Sequence, residues 1–391
     1  MPQHQARHRT RPEDSLAGLR VALYAGMFVR DYDGATKTLY KLVDSLLRRR
    51  AQVGVWTYSS SPDRLPGVSV FTVPAIPFPF YPDYKFALPG PKLVRQMEAF
   101  KPGLIHLTVP DAVGMGLLGY AKLKRIPVLI SYHTDFVSYL DERNLWYLSR
   151  PWRPILRWFY GRADSLLVPS QDSVAKFARQ KIRAAVWGRG LAKESFNTSF
   201  RSGALRRRWG AEGKKVILYS GQLAWFKDML VCVQVYRMFQ RREGPRPVFV
   251  LIGRGPLEAE LKKDMPEAVF LGYLGGKDLS AAYASADILL FPSTTETFGN
   301  VIQEAIASGL PAVVSDRGGC QEIVRKTGGG LVARAKDAGS FFRCCSKLLT
   351  EKAFYRRVRE AGLANIKNRD WESINRVVLK EYVRLTSRRF S

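Results

Sequence analysis

The chain has 391 residues, 46% hydrophobic and 25% charged, which excludes collagen-like, coiled-coil and low-complexity chains and a chain disordered throughout. That length corresponds to two or three domains, each large enough for a core of ordinary size. Lys and Arg number 62 against 34 Asp and Glu, a net charge of +28, so the surface either draws an anionic partner (nucleic acid, an anionic membrane leaflet, a phosphate-bearing substrate) or is simply solubilising.

Residues 1–18 read as a flexible basic tail: Met1 to Asp14 is polar, rich in Arg and His, and has no apolar centre of the kind a signal peptide carries. From Leu19 short β-rich apolar runs alternate with amphipathic stretches, the pattern of βαβ units around parallel sheets. Strands are predicted at Leu19–Tyr24, Val53–Thr57, Val68–Val73, Leu104–Leu107, Val128–Tyr132 and Ser165–Pro169, with a glycine-containing loop at Gly26–Gly34 and a helix at Ala35–Arg50. The regular pattern stops around Gly190–Gly203, where Lys193–Ser202 reads as a connector. A second series follows, with strands at Lys215–Ser220, Pro247–Gly253, Ala268–Gly272, Ile288–Phe291, Ala312–Val314 and Gly330–Val332. Helices are predicted there at Leu257–Lys263, Lys277–Ala284, Gly299–Ser308 and Ala338–Thr350. Asp370–Arg388 has Trp371, Ile374, Val377, Val378, Tyr382 and Leu385 at helical spacing. The fold class is therefore α/β with two doubly wound, Rossmann-like domains at 19–195 and 196–369, followed by a C-terminal helix at 370–391. No run reaches the roughly 18 apolar residues of a membrane-spanning helix, so any membrane contact is expected from the side.

Cys232, Cys320, Cys344 and Cys345 form neither a disulfide framework nor a zinc-spaced set, and His4, His8, His106 and His133 are scattered; no metal and no organic cofactor is expected, and a reducing cytosol fits. Two Rossmann-like halves make a cleft walled by strand ends and helix N-termini, the natural place for a phosphorylated ligand. The sharpest segment there is Phe291-Pro-Ser-Thr-Thr-Glu-Thr-Phe-Gly-Asn-Val-Ile-Gln-Glu304. It sets Glu296 in a loop after a strand, Gly299 at a helix start and Glu304 inside that helix. On spacing alone the two carboxylates either accept hydrogen bonds from two sets of ligand hydroxyls, or serve as a capping residue and a solvent-facing helix residue. Gly253-Arg-Gly255 lacks the third glycine of a dinucleotide fingerprint and reads as a strand-to-helix turn.

This segment resembles the E-x7-E signature of retaining glycosyltransferases of the GT-B fold, family 4. Ala75-Ile-Pro-Phe-Pro-Phe-Tyr-Pro82, Ser131-Tyr-His-Thr-Asp135, Ala163-Asp-Ser-Leu-Leu-Val-Pro-Ser170, Val250-Leu-Ile-Gly-Arg-Gly-Pro256, Tyr283-Ala-Ser-Ala-Asp287 and Gly318-Gly-Cys-Gln-Glu322 agree with that family in order, so the resemblance covers Leu19 to about Leu385. Within the family the chain looks most like the branch of GDP-mannose-dependent mannosyltransferases, phosphatidylinositol mannosyltransferases and sulfoquinovosyl-diacylglycerol synthases. The resemblance implies a GT-B fold whose C-terminal helix crosses back to the N-domain. It also implies transfer of a hexose, mannose first, from a nucleotide diphosphate sugar to a lipid-linked or glycan acceptor with retention of configuration, the alternatives being a UDP-sugar-dependent glycolipid synthase or a nucleotide-sugar-binding protein with weakened catalysis. By resemblance, Glu304 meets the ribose and Glu296 the hexose. Phe298, Gly299, Asn300 and Val301 lie along the sugar and diphosphate, Lys227 meets the diphosphate, Gly34 approaches the phosphates, and His133 stands beside the sugar. Read without the family, His133 is better taken as a buried, hydrogen-bonded strand-end histidine and Lys227 as an exposed surface lysine; the resemblance reverses that preference. The chain departs from its relatives at Gln222, where they carry Arg, at Phe226, where they carry an acidic residue, and at Leu191-Ala192; the expected diphosphate clamp has one cation fewer, and Arg189 could replace part of that charge.

Leu145–Arg162 interleaves Trp146, Trp152, Trp158 and Phe159 with Arg150, Arg153, Arg157 and Arg162. Such a segment suits an anionic membrane surface, and equally a helix whose aromatics pack inward. Tyr81, Tyr84 and Phe86 lie in a proline-rich loop that could line the acceptor opening. A nucleic acid partner is not expected, since no helix-turn-helix, RRM or zinc-finger pattern is present and the charge is dispersed. The expected location is cytoplasmic and peripheral on the inner face of the membrane.

Overall fold

The computed structural model describes residues 15–30, 33–60, 65–78, 81–135, 147, 150–192 and 194–387. The first elements are β1 (Arg20–Phe28), α1 (Gly34–Arg48), β2 (Gln52–Ser60), β3 (Val68–Thr72), β4 (Ala75–Phe78), β5 (Tyr81–Ala87), α2 (Pro91–Phe100), β6 (Leu104–Leu107) and α3 (Ala112–Leu123). They are followed by β7 (Val128–Ser131), α4 (Trp152–Gly161), β8 (Ser165–Val168), α5 (Gln171–Ala178) and β9 (Ala185–Val186). Seven of these strands form one sheet in the order β3-β2-β1-β6-β7-β8-β9, every pair parallel. The segment read as a proline-rich loop is instead an antiparallel pair, β4 with β5, standing apart from the main sheet.

The second half begins with α6 (Gly203–Arg208), β10 (Val216–Ser220), α7 (Met229–Arg241), β11 (Val248–Ile252), α8 (Glu258–Asp264), β12 (Val269–Phe270), α9 (Gly276–Ser285) and β13 (Ile288–Phe291). It continues with α10 (Asn300–Ala307), β14 (Ala312–Ser315), α11 (Cys320–Thr327), β15 (Gly330–Ala333), α12 (Ala338–Thr350), α13 (Lys352–Asn365) and α14 (Trp371–Ser387). Its sheet is again parallel, in the order β12-β11-β10-β13-β14-β15. In both sheets the first strand is central and the order reverses beside it, between β1 and β6 and between β10 and β13. Loops leaving the carboxyl ends of such a strand pair diverge and leave a crevice, where open α/β sheets bind ligands. The segments after β1, β10 and β13 carry Gly34, Lys227 and Glu296, so the topology gathers them before any side chain is considered.

Both halves hold themselves together by continuous apolar strands covered on each face by helices, as parallel sheets require. In the first half, one face of the sheet packs Val113, Leu117 and Phe159, and the other packs Leu39, Leu42, Val43 and Leu46 of α1. That second face is completed by the end of the chain: Val378, Leu379, Tyr382 and Leu385 of α14 are buried in the same cluster as α1 and β1. The expected crossing back of the C-terminal helix is thus present. Its inward row uses Leu379 rather than Val377, which is exposed. At roughly 1.5–3 kcal/mol per buried apolar side chain, this row dominates the docking. The Asn375 Nδ2 bond to Lys41 O (3.0 Å) and the Glu372 pairs with Arg48 and Arg49 add polar contacts between this helix and α1 with the residue after it.

Candidate functional site

The first wall of the cleft is the start of α1. Asp33 caps it, its Oδ1 accepting from Thr36 N–H (2.7 Å) while its own N–H donates to Thr36 Oγ1 (3.1 Å), a reciprocal capping box that leaves Gly34 as the first helical residue. The opposite wall is the start of α10, whose N-cap Gly299 has a positive φ of 96° and supplies no side-chain cap. The two helix starts meet. A Cβ on Gly34 would lie 2.2 Å from Asn300 Nδ2, so glycine is what permits the approach, and Asn300 Oδ1 is buried there without a hydrogen-bond partner among the described residues. Of the two helix starts that meet here, α1 is capped by Asp33 and α10 has no side-chain cap, so the positive end of α10 with its uncapped N–H groups is the part that favours an anion.

The Glu296 loop is held in place from several sides. Thr294 donates from N–H (2.9 Å) and Oγ1 (2.8 Å) to Asp228 Oδ2, Thr295 Oγ1 donates to Phe226 O (3.0 Å), and Gly319 N–H donates to Glu296 O (2.8 Å). Thr297 Oγ1 crosses the cleft to His133 O (2.9 Å). Lys227, in a 3₁₀ turn after β10, forms an ion pair with Glu296. Its ammonium also stands 5.2 Å from the centroid of the Phe226 ring, so the aromatic residue offers the lysine a ring face. Gln222 is exposed. Its carbonyl, not its amide group, is engaged, accepting from Tyr219 OH (3.0 Å).

Glu304 is neither exposed nor solvent-facing. It lies on the buried side of α10, with Tyr283 OH 3.5 Å from Oε2 and Lys37 Nζ 3.5 Å from Oε1. Burial raises its carboxyl above the ordinary carboxylate range, and Lys37 offsets part of that rise. Glu296 is likewise not a cap of α10, since Gly299 holds that position. Val301 is half-buried in the first turn of α10, and Phe298 buries its ring between the guanidinium groups of Arg189 (6.0 Å) and Arg369 (5.5 Å).

His133 follows β7 with both ring nitrogens engaged, Nδ1 with Arg189 Nη2 (3.0 Å) and Nε2 with Ser131 Oγ (2.8 Å). Burial and the facing guanidinium hold its pKa well below the usual histidine value. Arg189, itself pushed down to about 10 by burial, serves this histidine and the carbonyls of Trp187 and Gly188. The sheets thus bring together Gly34, His133, Lys227, Glu296, Phe298, Gly299, Asn300, Val301 and Glu304, while Gln222 points to solvent. Sequence reading missed Lys37, one turn into α1 from Gly34, and Asp228, which has a positive φ of 54° and ties two loops together. It also missed Tyr283. Among the described residues no three or more His, Cys, Asp or Glu side chains cluster as a metal site would need.

Residues 214–351 match the family described as Glycosyl transferases group 1, and residues 32–194 match Glycosyltransferase Family 4. The chain is 31% identical over 321 residues to a GDP-mannose-dependent alpha-mannosyltransferase of Mycolicibacterium smegmatis, covering 80% of this chain and 84% of that protein. It is also 31% identical over 351 residues to the sulfoquinovosyl transferase SQD2 of Arabidopsis thaliana, covering 87% and 68%. The solved structure of a sucrose-phosphate synthase from Thermosynechococcus elongatus superposes with a TM-score of 0.75 at 19% identity, over 94% of this chain and 99% of that one. The fold is that of the GT-B glycosyltransferases. The chain belongs to glycosyltransferase family 4.

Proposed function

We propose that the protein transfers a hexose, mannose in first place, from a nucleoside diphosphate sugar to a hydroxyl of a lipid-linked or glycan acceptor, with retention of configuration. The carrying observation is the meeting of the α1 and α10 N-termini at Gly34 and Asn300, flanked by Lys227 with Glu296 and by Lys37 with Glu304. A diphosphate at that point receives the uncapped N–H groups and the dipole of α10, and Lys227 neutralises the charge that grows as the glycosidic bond breaks. Glu304 takes the ribose hydroxyls and Glu296 those of the hexose. Neither carboxylate is a nucleophile or a general acid. The leaving phosphate accepts the acceptor proton as that oxygen attacks from the same face through an oxocarbenium-like ion pair. The mannosyl choice rests on the mannosyltransferase relative.

The acceptor side supports a lipid-linked substrate at an anionic surface. Helix α4 buries Phe159 and Tyr160 but exposes Trp152, Ile155 and Trp158 among Arg150, Arg153, Arg157 and Arg162, so some of its aromatics pack inward while an exposed aromatic and basic face is left that supports the membrane reading. Trp146 lies outside the described residues, as do the side chains of Tyr81 and Tyr84. Ile76, Phe86 and Leu88 on the β4–β5 pair and just beyond it expose further apolar area. No helix among the described residues is long and apolar enough to cross a membrane.

The test is a thermal-shift and turnover screen of GDP-mannose, UDP-glucose and related donors, with product configuration read by NMR. Glu296→Ala is expected to lower turnover of saturated donor more than Glu304→Ala. Equal, small effects of both would overturn the assignment, and an inverted product would overturn the retaining mechanism.

A further inference from the structure

Behind the cleft, the histidine next to the hexose position is the front end of a buried polar chain that no part of the proposed reaction yet uses. Arg189 Nη2 meets His133 Nδ1 (3.0 Å), His133 Nε2 meets Ser131 Oγ (2.8 Å), Ser131 Oγ meets His106 Nε2 (2.8 Å), and His106 Nδ1 meets Tyr382 OH (2.7 Å). These groups come from four separate pieces of chain: the interdomain segment after β9, the end of β7, the strand β6, and the C-terminal helix α14. His106, Ser131 and Tyr382 are fully buried. Trp187 seals the chain from the side, its ring 5.7 Å from that of His133 and 6.1 Å from that of His106.

Proton bookkeeping fixes the direction of the front half. A guanidinium has no acceptor lone pair, so Arg189 donates and His133 Nδ1 accepts. The neutral ring then carries its proton on Nε2 and donates to Ser131 Oγ. A head-to-tail order gives each remaining link one proton: Ser131 Oγ–H to His106 Nε2, and His106 Nδ1–H to the Tyr382 oxygen. Aligned donors of this kind polarise one another in a dry interior. The groups facing the His133 ring, Arg189 from the linker and His106 from β6, both oppose a positive charge on it, and burial takes His106 itself down to about 3.

We propose that Tyr382, His106, Ser131 and Arg189 are positioning residues that lock His133 as the neutral Nε2–H tautomer in one orientation beside the hexose, which makes the C-terminal crossover helix a working part of the transfer site. This rests on the reading of the cleft as a hexosyl transfer site. His133 presents its Trp187-backed ring to the cleft with a fixed edge, and the ring can turn toward a sugar hydroxyl only if the chain behind it breaks. Tyr382, carried on a helix that follows the entire second domain, reports to the first domain's catalytic wall that the crossover has docked.

The test combines tautomer and rate. Long-range ¹H–¹⁵N correlation on the ligand-free, ¹⁵N-histidine-labelled full chain is expected to show His133 neutral and Nε2-protonated from about pH 6 to about pH 8, with Arg189→Met converting it to an exchanging mixture. Tyr382→Phe and Ser131→Ala are each expected to move the His133 ring resonances and to lower kcat about tenfold, the size of one lost hydrogen bond, with donor KM within about twofold. Asn375→Ala is the structural comparator. It loosens the same helix by removing the Lys41 bond and is expected to lower the melting temperature while leaving the His133 resonances and kcat unchanged. A wild-type His133 in the Nδ1–H form, or Tyr382→Phe behaving as Asn375→Ala does, would overturn the proposal. The spectra need no donor, so a correct tautomer together with no transfer from any nucleotide sugar would bring down the functional reading and not the relay.

Discussion

Replacing Gly319 with alanine isolates how the Glu296 loop is held. A Cβ there would stand 2.4 Å from Thr297 O, 2.7 Å from Thr297 C and 2.8 Å from Phe298 Cα, all main-chain atoms that cannot swing aside. Restoring ordinary contact moves the loop by about 1 Å and stretches the Gly319 N–H bond to Glu296 O beyond hydrogen-bonding range. A misplacement of about 1 Å in a catalytic constellation costs on the order of a hundredfold in rate. Overpacking costs about 1–3 kcal/mol, or roughly 2–4 °C of melting temperature per kcal/mol for a domain of this size. The comparator is Gly210→Ala, where φ is 64° but nothing lies within 4 Å of the added methyl, so strain is incurred far from the cleft. Steady-state turnover at saturating donor, with melting curves of both variants, checks the argument. Gly319→Ala is expected to lose kcat about a hundredfold and Gly210→Ala to keep it. A Gly319→Ala enzyme within about threefold of wild type would show that the loop does not need this contact and would refute the reasoning.

Because burial raises the Glu304 carboxyl above its ordinary value, its contribution to stability is present in the protonated form at acid pH and is lost as pH rises through the folded value. Glu304→Gln, permanently neutral, is therefore expected to melt above the wild type near pH 7.5, with the gap closing on acidification, while donor affinity falls at least about tenfold; a lower melting temperature than wild type near neutrality would contradict the burial argument. Trp152→Ala with Trp158→Ala is expected to weaken binding to anionic vesicles at low salt without changing the melting temperature, because both rings are already exposed. Vesicle binding equal to wild type would remove α4 from the membrane reading.

The two sheets are legible in the sequence because strands buried on both faces read as short unbroken apolar runs, and most of them fall within a residue or two of prediction. The misses have physical causes. Helix α7 carries no clean helical stripe in the sequence, since Val231, Val233 and Val235 alternate as in a strand; in the structure all three are buried together with Cys232 and Tyr236. The β4–β5 pair was read as loop because Pro77 and Pro82 interrupt it, a composition tolerated in a pair with no central strand to feed. Within the site, local signals mark glycine, glutamate and lysine positions. They do not mark Lys37 or Asp228, whose partners Glu304 and Thr294 lie far along the chain.

Lys37 and Lys227 look alike in this light, each a half-buried ammonium on a carboxylate, but they sit at different ends of the donor and should fail differently. Lys227 pairs with Glu296 in the loop assigned to the transferred hexose, where charge develops only as the bond breaks. Lys37 crosses from α1 to the second domain and pairs with Glu304, assigned to the ribose, where nothing changes during the reaction. An interaction equal in ground and transition states sets KM, and one that grows in the transition state sets kcat. Lys37→Met is thus expected to raise donor KM by about tenfold with kcat nearly intact, and, since the Lys37 side chain is 30% exposed, to change stability by no more than about 1 kcal/mol. Lys227→Met is expected to lower kcat by about a hundredfold or more. The same pattern from both variants would show that the two ends of the cleft have been assigned wrongly. A kcat loss confined to Lys37→Met would show that they have been exchanged.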